Sequence, residues 1–103
     1  MSAVRFTLIM RIHGFIWPQE RIEHIARHSV SPDEFEQVCF GKSLVLRARS
    51  QGDHPVYYVL GQTAYGRHLF AVVIVFTDGK GYPVTARAMT DKERRHYQRW
   101  KKR

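Results

Sequence analysis

The chain has 103 residues, 44% of them hydrophobic and 25% charged, with a formal charge of +8. That is enough sequence for one domain and too little for two cores, and its balance excludes a disordered or fibrous chain. The longest unbroken apolar run, Leu69 to Phe76, falls far short of the ~20 residues that span a bilayer, so no membrane segment is expected.

The charge is unevenly placed. From Val84 onward, eight lysines and arginines face only Asp91 and Glu93, a balance of +6 that leaves +2 for everything before it. Such asymmetry suits a polyanionic partner, of which nucleic acid is the commonest, or else a merely solvated basic surface. The lone cysteine, Cys39, excludes a disulfide within these residues. It fits a reducing compartment, and the arginine-interrupted N-terminus lacks a cleavage signal, so the expected location is cytoplasmic.

Met1 to Trp17 mixes β-branched and aromatic residues without helical spacing, which predicts a strand over about Leu8 to Ile16, with residues 1–7 as an extension. Pro18 suits the first turn of a helix on which Ile22, Ile25, Ala26 and Ser29 share a face beside Arg21, His24 and His28. The stretch "SVSPDEFEQVCFG" predicts a second helix. Ser31 and Glu34 form a capping box, Pro32 takes the first position, Phe35, Val38 and Cys39 make the buried stripe, and Gly41 ends it.

Strands follow. Leu44, Leu46 and Ala48 alternate with Val45, Arg47 and Arg49, which places both arginines on one face. "VYYVLGQT" and "HLFAVVIVFT" are the next strands, the second buried on both faces, and Asp78–Gly79 predicts a tight hairpin. In the last strand Thr85 and Arg87 point away from Val84, Ala86 and Ala88. Thr90 and Glu93 then form a capping box that opens a terminal helix, with residues 98–103 as its basic tail. The fold class expected is α+β: a single domain over residues 1–103, an antiparallel sheet of an N-terminal strand and a four-strand meander, two helices on one face and a C-terminal helix. The open face would then display Arg47, Arg49 and Arg87.

Several residues could carry chemistry. His24 and His28 have the i, i+4 spacing of metal ligands, but Ile25 stands where the glutamate of a zinc-protease motif would be. His28 at a helix end is equally an ordinary C-terminal cation or a proton carrier. Cys39 lies among Val38 and Phe40 and reads as core. Arg87 can fork onto a phosphate, or pair with Glu93 or Asp91 as a surface arginine does. Tyr97 and Trp100 share a face with Glu93, and read as anchors of the helix or as a stacking surface; Tyr97 could keep its hydroxyl exposed over a packed ring.

The segments "HIARHSVSPDEFEQV", "YVLGQTAYGRHLFAVV" and "TARAMTDKERRHY" together resemble BrnT-type toxins of bacterial type II toxin–antitoxin modules, in order from about Phe15 to Tyr97. The resemblance implies a RelE-like fold, a metal-independent endoribonuclease that needs no cofactor and stops translation, RNA as substrate, and neutralisation by a ribbon–helix–helix antitoxin through which the complex binds DNA. Carried over, it puts His28, Arg87, Glu93 and Tyr97 in the catalytic group, with Arg27, Arg47, Arg49, Arg94, Arg95 and Arg99 around the RNA. In this family's pattern a lysine is common where Glu20 stands, an asparagine where His24 stands, a glycine where Ser29 stands and an aspartate where Ala88 stands. Glu20 and Ala88 are the features that favour the alternative, a catalytically silent member that only binds antitoxin or RNA.

Overall fold

The structure, a computed structural model, describes residues 3–4, 12–49 and 52–103. In chain order the described elements are β1 (Ala3–Val4), β2 (Gly14–Phe15), α1 (Gln19–Ala26), α2 (Pro32–Phe40), β3 (Leu44–Arg47), β4 (Val56–Gln62), β5 (His68–Val75), β6 (Lys80–Ala88) and α3 (Asp91–Lys101). Of the strand expected over residues 8–16, residues 8–11 lie outside the described set, and Gly14–Phe15 is strand.

The local signals act where the sequence puts them. Ser31 Oγ accepts from Glu34 N at 3.1 Å while Glu34 Oε1 accepts from Ser31 N at 3.1 Å, so the capping box of α2 closes on both sides. Thr90 and Glu93 do the same for α3. Pro18 stands one residue ahead of α1 and gives its carbonyl to Arg21 and Ile22. Gly41 ends α2 through close approach and not through a left-handed turn: a Cβ there would meet the Gln37 carbonyl at 2.8 Å. Asp78 accepts from Lys80 N at 3.0 Å beside Gly79 at φ 89, which makes the expected hairpin.

The sheet order is β1-β3-β4-β5-β6-β2. The meander β3 to β6 is antiparallel, but β2 runs parallel to β6, so the sheet is mixed where the sequence suggested a purely antiparallel one. A parallel pair needs a long connection, and the whole helical and meander region between β2 and β6 supplies it. Residue Val84 is the extra residue of a bulge opposite Val72 and Val73, which also accommodates Pro83 inside the strand.

The second correction concerns the faces. One face packs against α1 and α2 through Ile25, Phe35, Val38, Val45, Val59, Leu69 and Ala86. The other is partly covered by α3, where Tyr97 packs with Leu44 and Leu60 and is flanked by Leu46, Phe70 and Trp100. Both Leu44 and Val45 are therefore buried, because a strand between two helical layers hides both sets of side chains. Arg47 lies on the α1–α2 side, its guanidinium 5.5 Å from the Tyr57 ring centroid, and Arg87 lies on the α3 side over Phe70. They do not share an open face. Cys39 is fully buried, and burial pushes its thiol up, as suits a core residue. Among the described residues no helix is long and apolar enough to cross a membrane.

Candidate functional site

Helix α1 lies beside β6 and runs the same way along it. Arg21 Nη1 donates to the carbonyl of Val84, the bulge residue, at 2.9 Å, and His24 Nε2 meets Thr85 Oγ1 at 2.9 Å. His28 lies past the end of α1, in the turn that follows it, on the side toward which β6 runs to Arg87. The His24 and His28 rings are 5.7 Å apart. Burial foremost, then the positive charges of Arg21, His28 and Arg27, holds His24 below the ordinary histidine pKa, which favours the neutral ring. Among the described residues no group of three histidine, cysteine or acidic side chains comes together as a metal-ligand set.

The turn after α1 carries Arg27, His28 and Ser29. Ser29 takes φ 60, the left-handed region, at the position where the resemblance has glycine. Its carbonyl accepts from Arg67 Nη1 at 2.8 Å, and the same nitrogen meets both oxygens of Glu34 at 2.8 and 2.9 Å. Arg67 so ties the His28 turn to the N-terminus of α2 and to the β4–β5 connection.

Arg87 is the centre of the site. Its Nη1 and Nη2 donate to the two oxygens of Glu93 at 2.8 and 2.9 Å, Nη1 also donates to the carbonyl of Ala88 at 3.0 Å, and its plane lies 4.3 Å from the Phe70 centroid. A guanidinium has five N–H donors. Those bonds use the end of the fork and leave Nε–H and the second Nη2–H, which point the same way along one edge. Arg87 is thus fixed in place by Glu93 and Phe70 and still offers a two-pronged edge that fits a phosphate. Glu93 spends both oxygens on Arg87 and on the Thr90 N–H, and Arg87's hydrogen bonds hold its carboxyl below the usual glutamate pKa, with burial opposing. That makes it a poor proton acceptor.

No family model, curated protein or solved structure matches this chain. The site therefore stands on its own geometry.

That geometry gathers Arg27, His28, Arg87, Glu93 and Arg94 at one end of the sheet. Arg94 is exposed in the first turns of α3, next to Glu93, and His68 O accepts from Met89 N at 3.0 Å just past Ala88. Tyr97 is beneath this surface, 1% exposed, its hydroxyl donating to the carbonyl of Lys42 at 2.9 Å; the ring is packed as expected, but the hydroxyl is not free. Arg95 and Arg99 lie on the exposed side of α3. Arg47 lies three strands across the sheet from Arg87 and three residues along it: Arg47 pairs with Tyr57, while Arg87 pairs with Phe70, which pairs with Leu60. At ~3.4 Å per residue and ~4.8 Å per strand their backbones are roughly 17 Å apart, with the two side chains on opposite faces. Sequence reasoning missed Thr85 and Arg67 as parts of the site. Only the alternation of Thr85 with Arg87 on the outward side of β6 pointed to the first.

The Arg87–Glu93 pair has a measurable pH signature. Because the folded-state pKa of Glu93 lies below its unfolded value, the pair's contribution is complete above about pH 4.3 and is lost as pH falls through the folded value. Glu93→Gln keeps the capping geometry and removes the charge. Wild type is expected to melt higher than Glu93→Gln at pH 7, with the gap narrowing as pH falls below about 4.3; a gap that stays constant across the acid titration would show that the charge is not what the pair contributes.

Proposed function

We propose that this chain is the toxin of a BrnT-like type II toxin–antitoxin pair with a RelE-like fold, an endoribonuclease that cuts RNA by attack of a ribose 2′-hydroxyl on the adjacent phosphate. The observation that carries the reading is the free edge of Arg87, fixed by Glu93 and Phe70 beside the His24–His28 flank. A transesterification of this kind needs cations around the phosphorane and a group to take the 2′-hydroxyl proton, with no metal required.

In this reading Arg87 binds two non-bridging oxygens and gains strength as they take on charge. His28, exposed in the turn after α1, accepts the 2′-hydroxyl proton. The new bond joins O2′ to phosphorus, the bond from phosphorus to O5′ breaks, and the leaving oxygen is oriented by Arg94 and protonated from solvent. The products are a 2′,3′-cyclic phosphate and a 5′-hydroxyl. Glu93 positions Arg87 and is not the base. His24, tied to Thr85, sets the orientation of the flank. The neutralising partner is an acidic segment of a ribbon–helix–helix antitoxin lying over this basic end of the sheet, where charge complementarity favours it.

One observation favours the binding-only alternative: the Tyr97 hydroxyl is committed to Lys42, so it supplies no acid to the leaving group. Incubating the purified chain with RNA in a chelator, alone and on translating ribosomes, separates the two. The toxin reading expects fragments ending in 2′,3′-cyclic phosphate and suppression by the antitoxin. Intact RNA in both settings, with binding retained, would leave the silent binder.

A further inference from the structure

Among the described residues no large apolar or aromatic side chain is as open as Tyr65, 98% exposed at the tip of the turn joining β4 and β5. The turn beneath it is tightly held. Gly66 N donates to the Thr63 carbonyl at 2.9 Å, Thr63 N to the Arg67 carbonyl at 2.9 Å and Arg67 N to Thr63 Oγ1 at 3.1 Å. Ala64 N donates to Gln37 Oε1 at 2.8 Å and Gln62 Nε2 to the Gly66 carbonyl at 3.2 Å, while Gly66 takes φ +91, which an L side chain rarely adopts. The backbone is thus preorganised from both flanks, and it holds the Tyr65 Cα–Cβ bond out toward solvent with both faces of the ring open to a partner.

The surroundings say what that is. Gln62, which pins Gly66 with its nitrogen, accepts from Lys101 Nζ at 2.6 Å with its oxygen, so the end of α3 is one side chain away from the turn. His68, three residues beyond Tyr65, meets Gln98 of the same helix at 2.7 Å, so the turn stands next to the basic helix α3, whose Arg94, Arg95 and Arg99 are exposed. Arg67 links this turn to the His28 turn through Ser29. An exposed aromatic ring next to a basic helix is an arrangement that suits single-stranded nucleic acid: the cations follow the phosphates and the ring stacks on a base. Duplex RNA keeps its base faces covered and offers nothing to such a ring.

We infer that Tyr65 is a stacking platform for an unpaired base of the RNA, so that the strand entering the Arg87 site is single-stranded where it crosses the β4–β5 turn. This rests on the RNA reading of the site. Stacking of a base on an aromatic residue is sequence-tolerant, so the platform sets the class of substrate and not its sequence.

The test uses the full chain and a mixed-sequence single-stranded RNA oligonucleotide, read by fluorescence anisotropy, with the same RNA in duplex form and a third version carrying abasic ribose throughout. Tyr65→Ala is expected to weaken single-strand binding about 5- to 150-fold, with Tyr65→Trp retaining it. The abasic strand should bind wild type and Tyr65→Ala alike, because the lost partner is the base. The dependence on salt should keep its slope, since no phosphate contact is removed. Melting curves of the variants should superpose on wild type. If wild type binds RNA and Arg87→Ala weakens it while Tyr65→Ala binds as tightly as wild type, the platform is refuted and the RNA reading survives. Equal loss on the abasic strand would also refute it. If wild type binds none of the three, the RNA reading itself fails and the platform with it. Loss of an antitoxin contact on Tyr65→Ala with unchanged RNA affinity would assign the ring to protein and overturn the inference.

Discussion

Arg87→Lys is expected to lower RNA cleavage by about 100- to 1000-fold, the usual cost of removing one preorganised donor from the site of developing charge. Lysine keeps the positive charge and reaches across Phe70, but it is a point charge without a forked edge. The change therefore isolates geometry from charge. RNA affinity should fall far less than rate, because ground-state attraction to phosphate survives the substitution. Of the partners the sequence offered for Arg87, the fold supplies Glu93, and it adds a stack on Phe70, so loss of the side chain has a stability component as well. An exposed ion pair and an exposed cation–π contact are worth roughly 0.2–1 kcal/mol each, and lysine retains part of both. A melting shift of no more than about 5 °C should accompany the variant. Cleavage within tenfold of wild type would mean that the fork is not used in the transition state.

How far the sequence alone carries can be read from particular residues. The capping boxes at Ser31 and Thr90, the stripe of Phe35, Val38 and Cys39, and the hairpin at Asp78–Gly79 are local features, settled by contacts within a few residues, and they were all legible. The four-strand meander followed from short connections. What failed was everything decided by a distant element. That Arg47 and Arg87 lie on opposite faces depends on the register carried from β3 through β5 and on the bulge at Val84, which switches the face of the residues after it; alternation within β3 cannot report either. The parallel pairing of β2 with β6 depends on a crossover more than sixty residues long. At the site, the sequence offered a pairing of Arg87 with Glu93, and the fold contains it, but how the carboxylate divides its oxygens needed the hydrogen bonds. In sequence Glu93 is a capping residue, a partner for Arg87 and a candidate base; in the fold its two oxygens are engaged by Arg87 and the Thr90 N–H, which leaves the first two roles.

Tyr97 joins the two themes, because the resemblance places it in chemistry and the fold places it in the core. The side chain is 1% exposed, packs with Leu44, Leu60 and Trp100, and donates its hydroxyl to the Lys42 carbonyl at 2.9 Å. It is the only fully buried residue of α3 among those described, so the helix that presents Glu93 and Arg94 is held to the sheet largely through this ring. Truncating a buried aromatic residue to alanine costs about 3–5 kcal/mol, a large share of the roughly 5–15 kcal/mol that holds a domain together. Tyr97→Ala should therefore melt more than about 12 °C below wild type, with cleavage lost only in proportion to the protein that unfolds or to the loosening of Glu93 from Arg87. Tyr97→Phe separates the roles. It keeps the ring and leaves one buried carbonyl without its donor, a loss of about 1 kcal/mol. If the hydroxyl is structural, Tyr97→Phe cleaves RNA within a few-fold of wild type while melting slightly lower. A 100-fold loss of rate in Tyr97→Phe at unchanged melting temperature would instead return the hydroxyl to the chemistry, and would require α3 to move away from Lys42 when RNA binds.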